Sequence, residues 1–167
     1  GYVGNGPWAI QVERDGDYDI IVGSLGSTER LYRNDGGLSF SLHSGAIQGI
    51  SDSTLDVAIG DLDNDGDQDL FLADEGWQGP SGQTQGNPLR LFVNTGGKFE
   101  ERGEALGFTG FMPAYTLTAL DYDLDGFVDV FVSNYGVQDK ETNDDWLNAT
   151  NGNRNKLFPN LEGKGFR

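Results

Sequence analysis

The chain has 167 residues, 36% of them apolar, carries a net charge of −16 and contains no cysteine. This length supports one ordinary domain with a core of its own, and no apolar run approaches the length of a membrane span. The composition excludes disulfides and thiolate metal sites, and the acidic balance argues against a nucleic-acid ligand, whose phosphates are neutralised by lysine and arginine patches.

An acidic, glycine-containing loop followed by an apolar strand occurs three times, at residues 11–19, 61–69 and 121–129. We call these the first, second and third loops. The pattern is complete in the second loop, where positions 1, 3, 5 and 9 are Asp61, Asp63, Asp65 and Asp69. Carboxylates at this spacing suit a hard cation that takes six to eight oxygens at about 2.3–2.6 Å. Gly66 allows a sharp turn, so that the carbonyl of Asp67 can face the ion.

The third loop is also complete, with Asp121, Asp123, Asp125 and Asp129 at the same four positions. The first loop is degraded, because Gln11 replaces the first aspartate and Glu13 is one methylene longer than aspartate. Its remaining carboxylates are Asp15, Asp17 and Asp19. A neutral amide can still bind calcium, with the loss of one charge. We therefore predict calcium in the second and third loops and a weaker or empty site in the first, for which an ordinary solvated turn is the alternative.

A second motif follows each loop and predicts a β-hairpin. It consists of a basic residue, Leu, an aromatic residue, any residue, Asn, a glycine turn and then Phe, and occupies residues 30–40, 90–99 and 156–166. Asparagine and glycine adopt the positive φ that tight turns require, so the motif predicts a turn role for Asn34, Asn94 and Asn160. Each repeat thus has four strands, because one strand precedes the acidic loop and another leaves it.

The sequence therefore predicts an all-β protein built from β-propeller-type blades of four antiparallel strands. The three repeats correspond to residues 1–50, 51–114 and 115–167, the last with a truncated fourth strand. About four blades are the practical minimum for a closed ring. We expect that this chain alone does not close one, and that it is part of a longer protein or is completed by neighbouring subunits that cover its edge strands.

The connection between the second and third strands lengthens along the chain and predicts a binding surface. In the second and third repeats it includes residues 75–87 and 135–155, which are polar and rich in glycine. In an up-and-down sheet these insertions and the acidic loops lie on opposite sides. Trp77, Tyr135 and Trp146 lie in the insertions, where aromatic side chains either bind proteins and sugars or pack against their own loops.

The acidic loop with its following strand, together with the Leu-aromatic-x-Asn hairpin, resembles the FG-GAP or VCBS repeat over nearly the whole chain. This family builds the calcium-loaded β-propellers of integrin α-subunits and of many bacterial extracellular proteins. The resemblance implies an extracellular or cell-surface location, with calcium bound by side-chain oxygens at positions 1, 3, 5 and 9 and a backbone carbonyl at position 7. In the complete loops the implied ligands are Asp61, Asp63, Asp65, Asp67 and Asp69, and Asp121, Asp123, Asp125, Phe127 and Asp129.

The function we expect is that of a calcium-stabilised extracellular scaffold for binding or adhesion, which meets a protein or glycan partner at the insertions. A structural subunit that self-assembles head to tail into a larger assembly or filament is the alternative. An enzyme is not expected, because the single histidine, His43, has no companion at motif spacing and cysteine is absent. Some polysaccharide lyases resemble this architecture and stand as an enzymatic alternative. The sequon at Asn148 would be glycosylated only in a suitable host.

Overall fold

The computed structural model of the chain describes residues 2–25, 27–48, 54–74, 87–134 and 154–167. These residues form eleven β-strands in three antiparallel sheets, with no helix among them. The predicted all-β, blade-like fold is therefore confirmed, and none of the three sheets closes into a barrel. The insertion residues Trp77, Tyr135 and Trp146 and the sequon at Asn148 lie outside the described residues.

Strands that are consecutive in the chain are neighbours in each sheet. The first sheet contains β1 (Tyr2–Ile10), β2 (Asp19–Leu25), β3 (Arg30–Asn34) and β4 (Phe40–Leu42). The second contains β5 (Thr54–Gly60), β6 (Asp69–Asp74), β7 (Arg90–Thr95) and β8 (Lys98–Glu101). The third contains β9 (Ala114–Leu120), β10 (Asp129–Asn134) and β11 (Lys156–Phe158), and a bridge between Asn160 and Phe166 stands where the other sheets have a fourth strand. Each acidic loop thus joins the first strand of a sheet to the second.

Two apolar cores lie between the three sheets, and β6 contributes to both. Successive side chains of a strand point to opposite faces. Leu70 and Leu72 therefore enter the first core, between the first and second sheets, while Phe71 enters the second core, between the second and third sheets. All three side chains are at most 1% exposed. Burial on both faces explains why this strand is a continuous apolar run and not an alternating one.

The hairpin motif divides its apolar residues between these cores in a fixed way. Its leucine enters the core shared with the following sheet, as Leu31 does in the first core and Leu91 in the second. Its aromatic residue packs in the core shared with the preceding sheet, as Phe92 does in the first core and Phe158 against the second. The two positions are adjacent in a strand and so point to opposite faces. The motif therefore stacks each sheet on its neighbours.

The motif asparagine joins adjacent sheets in addition to forming its turn. Asn94 Oδ1 accepts a hydrogen bond from the Gly97 N–H at 2.9 Å, which is the predicted turn role. Its Nδ2 donates to the carbonyl oxygens of Val12 in the first loop (3.0 Å) and of Gln68 in the second (3.2 Å). Asn160 makes the same three bonds one sheet further on, with Gly163, Leu62 and Val128.

Replacing Asn94 with alanine is expected to lower the free energy of unfolding by about 2–4 kcal/mol. The Val12 and Gln68 carbonyls lose their amide donor, and each buried group left unsatisfied costs about 1–3 kcal/mol. Asn34→Ala is the matched control, because Asn34 Nδ2 donates, among the described residues, only to the exposed carbonyl of Tyr18. Its loss is expected to stay below about 1 kcal/mol. Urea unfolding measures both values, and equal losses would contradict the role of Asn94 between sheets.

Candidate metal centre

The three acidic loops follow the same backbone path. Position 4 of each loop has a left-handed backbone, with φ of 55° at Arg14, 59° at Asn64 and 63° at Leu124. Position 6 is a glycine with φ between 90° and 96° in every loop. A side chain is strained at such a φ, so glycine is required for the sharp turn. The first loop has kept this path although its ligand residues have changed.

Aspartates converge in the second and third loops. Ligand oxygens of Asp61, Asp63 and Asp65 lie within 4.8 Å of one another, and so do those of Asp121, Asp123 and Asp129. Each of these groups could hold a metal ion. Asp61 Oδ1 is buried without a hydrogen-bond partner among the described residues, which leaves an acceptor available to a cation. The part of the chain that the structure describes contains no third group of this kind.

Other carboxylate oxygens hold the loops themselves in place. In the second loop, Asp61 Oδ2 accepts a hydrogen bond from the Gly66 N–H, and Asp65 Oδ1 accepts one from the Asp67 N–H. Both bonds are 2.8 Å long. The third loop makes the equivalent bonds at 2.9 Å, from Gly126 to Asp121 and from Phe127 to Asp125. Backbone donors thus position the carboxylates at positions 1 and 5 in advance. Such preorganisation lowers the entropic cost of binding a ligand.

The aspartate at position 9 links each loop to the hairpin of its own sheet. Asp69 accepts from the N–H groups of Leu62 and Asn94, both at 2.7 Å. Asp19 and Asp129 make the equivalent bonds in the other sheets at 2.8–2.9 Å. Because the degraded first loop has these bonds too, they do not depend on the complete set of four aspartates. Burial raises the pKa of Asp69 to about 7, although the two N–H donors oppose it, and a bound cation would lower this pKa again.

The side chain of Asp67, whose carbonyl was predicted as a ligand, contacts the first loop. Its Oδ1 pairs with Arg14 Nε at 2.6 Å, and its Oδ2 accepts from the Gly96 N–H at 2.7 Å. Arg14 also donates to the backbone carbonyl of Asp65. A Cβ on Gly66 would lie 2.7 Å from Arg14 Nη2, so the Arg14 guanidinium would have to shift to make room for a side chain there. The only sequence signal for this contact is a basic residue inside an acidic loop.

In the first loop, two of the predicted ligand residues contact other protein groups, although Glu13 Oε2 is buried without a hydrogen-bond partner among the described residues. Glu13 Oε1 pairs with Arg33 Nε at 3.1 Å. Burial raises the pKa of Glu13, and the Arg33 charge opposes this increase. The Gln11 N–H donates to Gln68 Oε1 of the second loop at 2.8 Å. Glu13 does not belong to either group of converging carboxylates, and neither do the aspartates at positions 5, 7 and 9 of this loop.

A known family matches part of the chain. The family described as an FG-GAP-like repeat matches residues 12–72, from position 2 of the first loop into β6. No curated protein matches the chain significantly. The family is generally a non-enzymatic scaffold and is typically extracellular, and the described residues contain no helix long and apolar enough to cross a membrane. The resemblance drawn from the motifs is thereby confirmed over residues 12–72, which are similar to an FG-GAP-like repeat.

Proposed function

We propose that the second and third loops each bind one Ca²⁺ ion and that these ions stabilise the stacked sheets. The observation that carries this proposal is the pair of converging aspartate groups, with the buried, unpartnered Asp61 Oδ1 in one of them. The ligands would be the side chains of Asp61, Asp63, Asp65 and Asp69, and of Asp121, Asp123, Asp125 and Asp129, with the carbonyls of Asp67 and Phe127. An all-oxygen set in a loop favours calcium, because magnesium requires a near-ideal octahedron and thiolate-binding metals prefer softer ligands.

Ion binding in the second loop would also stabilise its contacts with the third sheet. Asn64 Nδ2 donates to the carbonyl of Gly126 in the third loop at 3.0 Å. Asn160 Nδ2 donates to the carbonyl of Leu62 at 2.9 Å. Both bonds involve residues of the second loop. An ion that fixes the conformation of that loop would therefore also stabilise the contact between the second and third sheets. Calcium is therefore proposed to act as part of the architecture, away from the surface that meets a partner.

Calorimetric titration of the metal-free chain with calcium is expected to give two sites per chain. Asp63→Asn and Asp123→Asn, both at position 3, should each remove one site. Each variant loses one negative charge from the carboxylates that bind the same calcium ion. Glu13→Gln is the matched control at position 3 of the first loop and should leave two sites. Absence of calcium binding, a preference for zinc, or two sites in both aspartate variants would contradict the proposal.

We further propose that the calcium-loaded sheets form an extracellular scaffold that binds a protein or glycan through residues 75–87 and 135–155. The typical location of the family supports this proposal, and so does the length of these insertions, since hairpin loops usually have about 2–5 residues. Most of both insertions lies outside the described residues. Glycan and extracellular-protein arrays can be probed with the wild-type chain and with the Trp77→Ala/Trp146→Ala double variant. Equal binding by both would exclude these aromatic side chains as contacts.

A further inference from the structure

The two junctions between sheets are built from the same contacts. Asn94 and Asn160, on the second and third sheets, donate to the carbonyl at position 2 of the preceding loop, at 3.0 and 2.9 Å. The Phe that ends each motif packs in the same junction, Phe99 against the first core and Phe166 within the second. We call the side of a sheet that carries this Asn and Phe its donor face. The opposite side, which carries the motif leucine and position 2 of the acidic loop, is its acceptor face.

A hairpin glycine completes each junction by close approach to the preceding loop. A Cβ on Gly97 would lie 3.1 Å from Glu13 Cγ, and a Cβ on Gly163 would lie 2.9 Å from Asp63 Cα. Both contacts are with position 3 of the preceding loop. A Cβ on Gly37, the equivalent glycine of the first sheet, would meet nothing within 4 Å. The first sheet therefore has the junction glycine without a loop packed on it.

The donor face of the first sheet is exposed. Phe40, the counterpart of Phe99 and Phe166, is 40% exposed. Asn34 Nδ2 makes its one bond among the described residues within its own repeat, to the Tyr18 carbonyl. Tyr18 itself is 58% exposed. This face thus presents the Asn donor and the apolar side chains that the second and third sheets use to bind their predecessors.

The acceptor face of the third sheet is exposed as well. Tyr122 at position 2 of its loop is 45% exposed, whereas the residues at this position in the first two loops are each 1% exposed. Leu157, its motif leucine, is 37% exposed, whereas those of the first two sheets are at most 2% exposed. Leu124 at position 4 is 86% exposed, although position 4 of the first and second loops contacts the next loop. The third sheet therefore presents the other half of the same junction.

We propose that the acceptor face of the third sheet binds the donor face of the first sheet in a second copy of this chain. The partner is argued from continuity, because each chain already forms this junction twice and carries one open half of it at either side. Asn34 of one copy would donate to the Tyr122 carbonyl of the other, and Gly37 would lie over Asp123. The contact is heterologous, so that copies join head to tail and either close a ring or extend a filament. It goes beyond calcium binding and is tested separately from it.

Sedimentation velocity in calcium-containing buffer tests this assembly. The wild-type chain at about 100 μM, above the micromolar dissociation constants of weak interfaces of standard size, is expected to sediment as dimers or larger species. Leu157→Lys blocks the acceptor face and Phe40→Lys the donor face, and each variant alone is expected to be monomeric. An equimolar mixture should form a species of about twice the monomer mass, because each variant keeps the face that the other lacks. Glu100→Gln on β8 of the second sheet removes one negative charge, so it changes the net charge by the same amount as either lysine, and it should associate as the wild type does.

Circular dichroism and calcium stoichiometry establish that each variant is folded. If either lysine variant above fails to fold, a substitution at a more exposed position replaces it. These are Leu124→Lys for the acceptor face and Tyr18→Lys for the donor face. A wild-type chain that remains monomeric overturns the proposal, and so does a folded single variant that still associates, or a mixture that stays monomeric. A chain that associates but does not bind calcium would refute the proposed metal sites and support the proposed assembly. A chain that binds calcium but stays monomeric would support the metal sites and refute the assembly.

Discussion

Chelation of calcium is expected to lower the melting temperature of the chain by roughly 10–20 °C. An ion present at about 100 times its dissociation constant stabilises the native state by about 2.7 kcal/mol, so two ions contribute about 5 kcal/mol. In a protein of about 150–250 residues, each kcal/mol corresponds to about 2–4 °C. Without the ions, the clustered aspartates repel one another. Scanning calorimetry in EDTA and in excess calcium measures the shift.

The Asp63→Asn/Asp123→Asn double variant is the control for this shift. Each of its two complete loops has lost a ligand charge, so its melting temperature is expected to be nearly the same in EDTA and in calcium. A wild-type chain that melts at the same temperature in both buffers would show that the loops are ordinary turns. A shift that persists in the double variant would place the stabilising ions elsewhere in the chain.

Replacement of Arg90 by leucine is expected to lower the free energy of unfolding by about 3–5 kcal/mol, the usual cost of leaving a buried charge unpaired. Arg90 is buried at the start of β7, where it pairs with Asp74 at 2.5 Å and with Glu29 at 2.9 Å. The Thr54 hydroxyl lies within hydrogen-bond distance of both carboxylates. Burial acts to lower the pKa of Arg90, but the bonds to Asp74 and Glu29 raise it above its ordinary value. The variant would therefore leave two buried carboxylates without their cation.

Arg30→Leu is the matched control, because Arg30 begins the hairpin motif of the first sheet as Arg90 does in the second. Arg30 is exposed, and substitutions at such surface positions usually change stability by less than about 0.5 kcal/mol. Denaturant unfolding of both variants gives the comparison. Equal stability losses would mean that the motif position matters and the buried ion pairs do not.

The local structure of each repeat could be predicted because it depends on residues a few positions apart. The glycine at position 6 marks a backbone with a φ of 90–96° at Gly16, Gly66 and Gly126. The Asn-Gly hairpins follow from residues that adopt positive φ. The direction in which β6 faces could not be predicted, because a strand buried on both sides has no alternation to read.

The sequence by itself determined the three repeats, their strands, their turns and the two complete acidic loops, since short-range spacing specifies all of these. Only the tertiary structure decided which residues join the sheets. Arg14 reaches Asp65 across 51 residues, Arg90 reaches Glu29 across 61, and Asn94 reaches Val12 across 82. No local pattern encodes such pairs, because the stacking of whole sheets brings them together. The same stacking decides which apolar faces are buried and leaves one face of the first sheet and one of the third exposed.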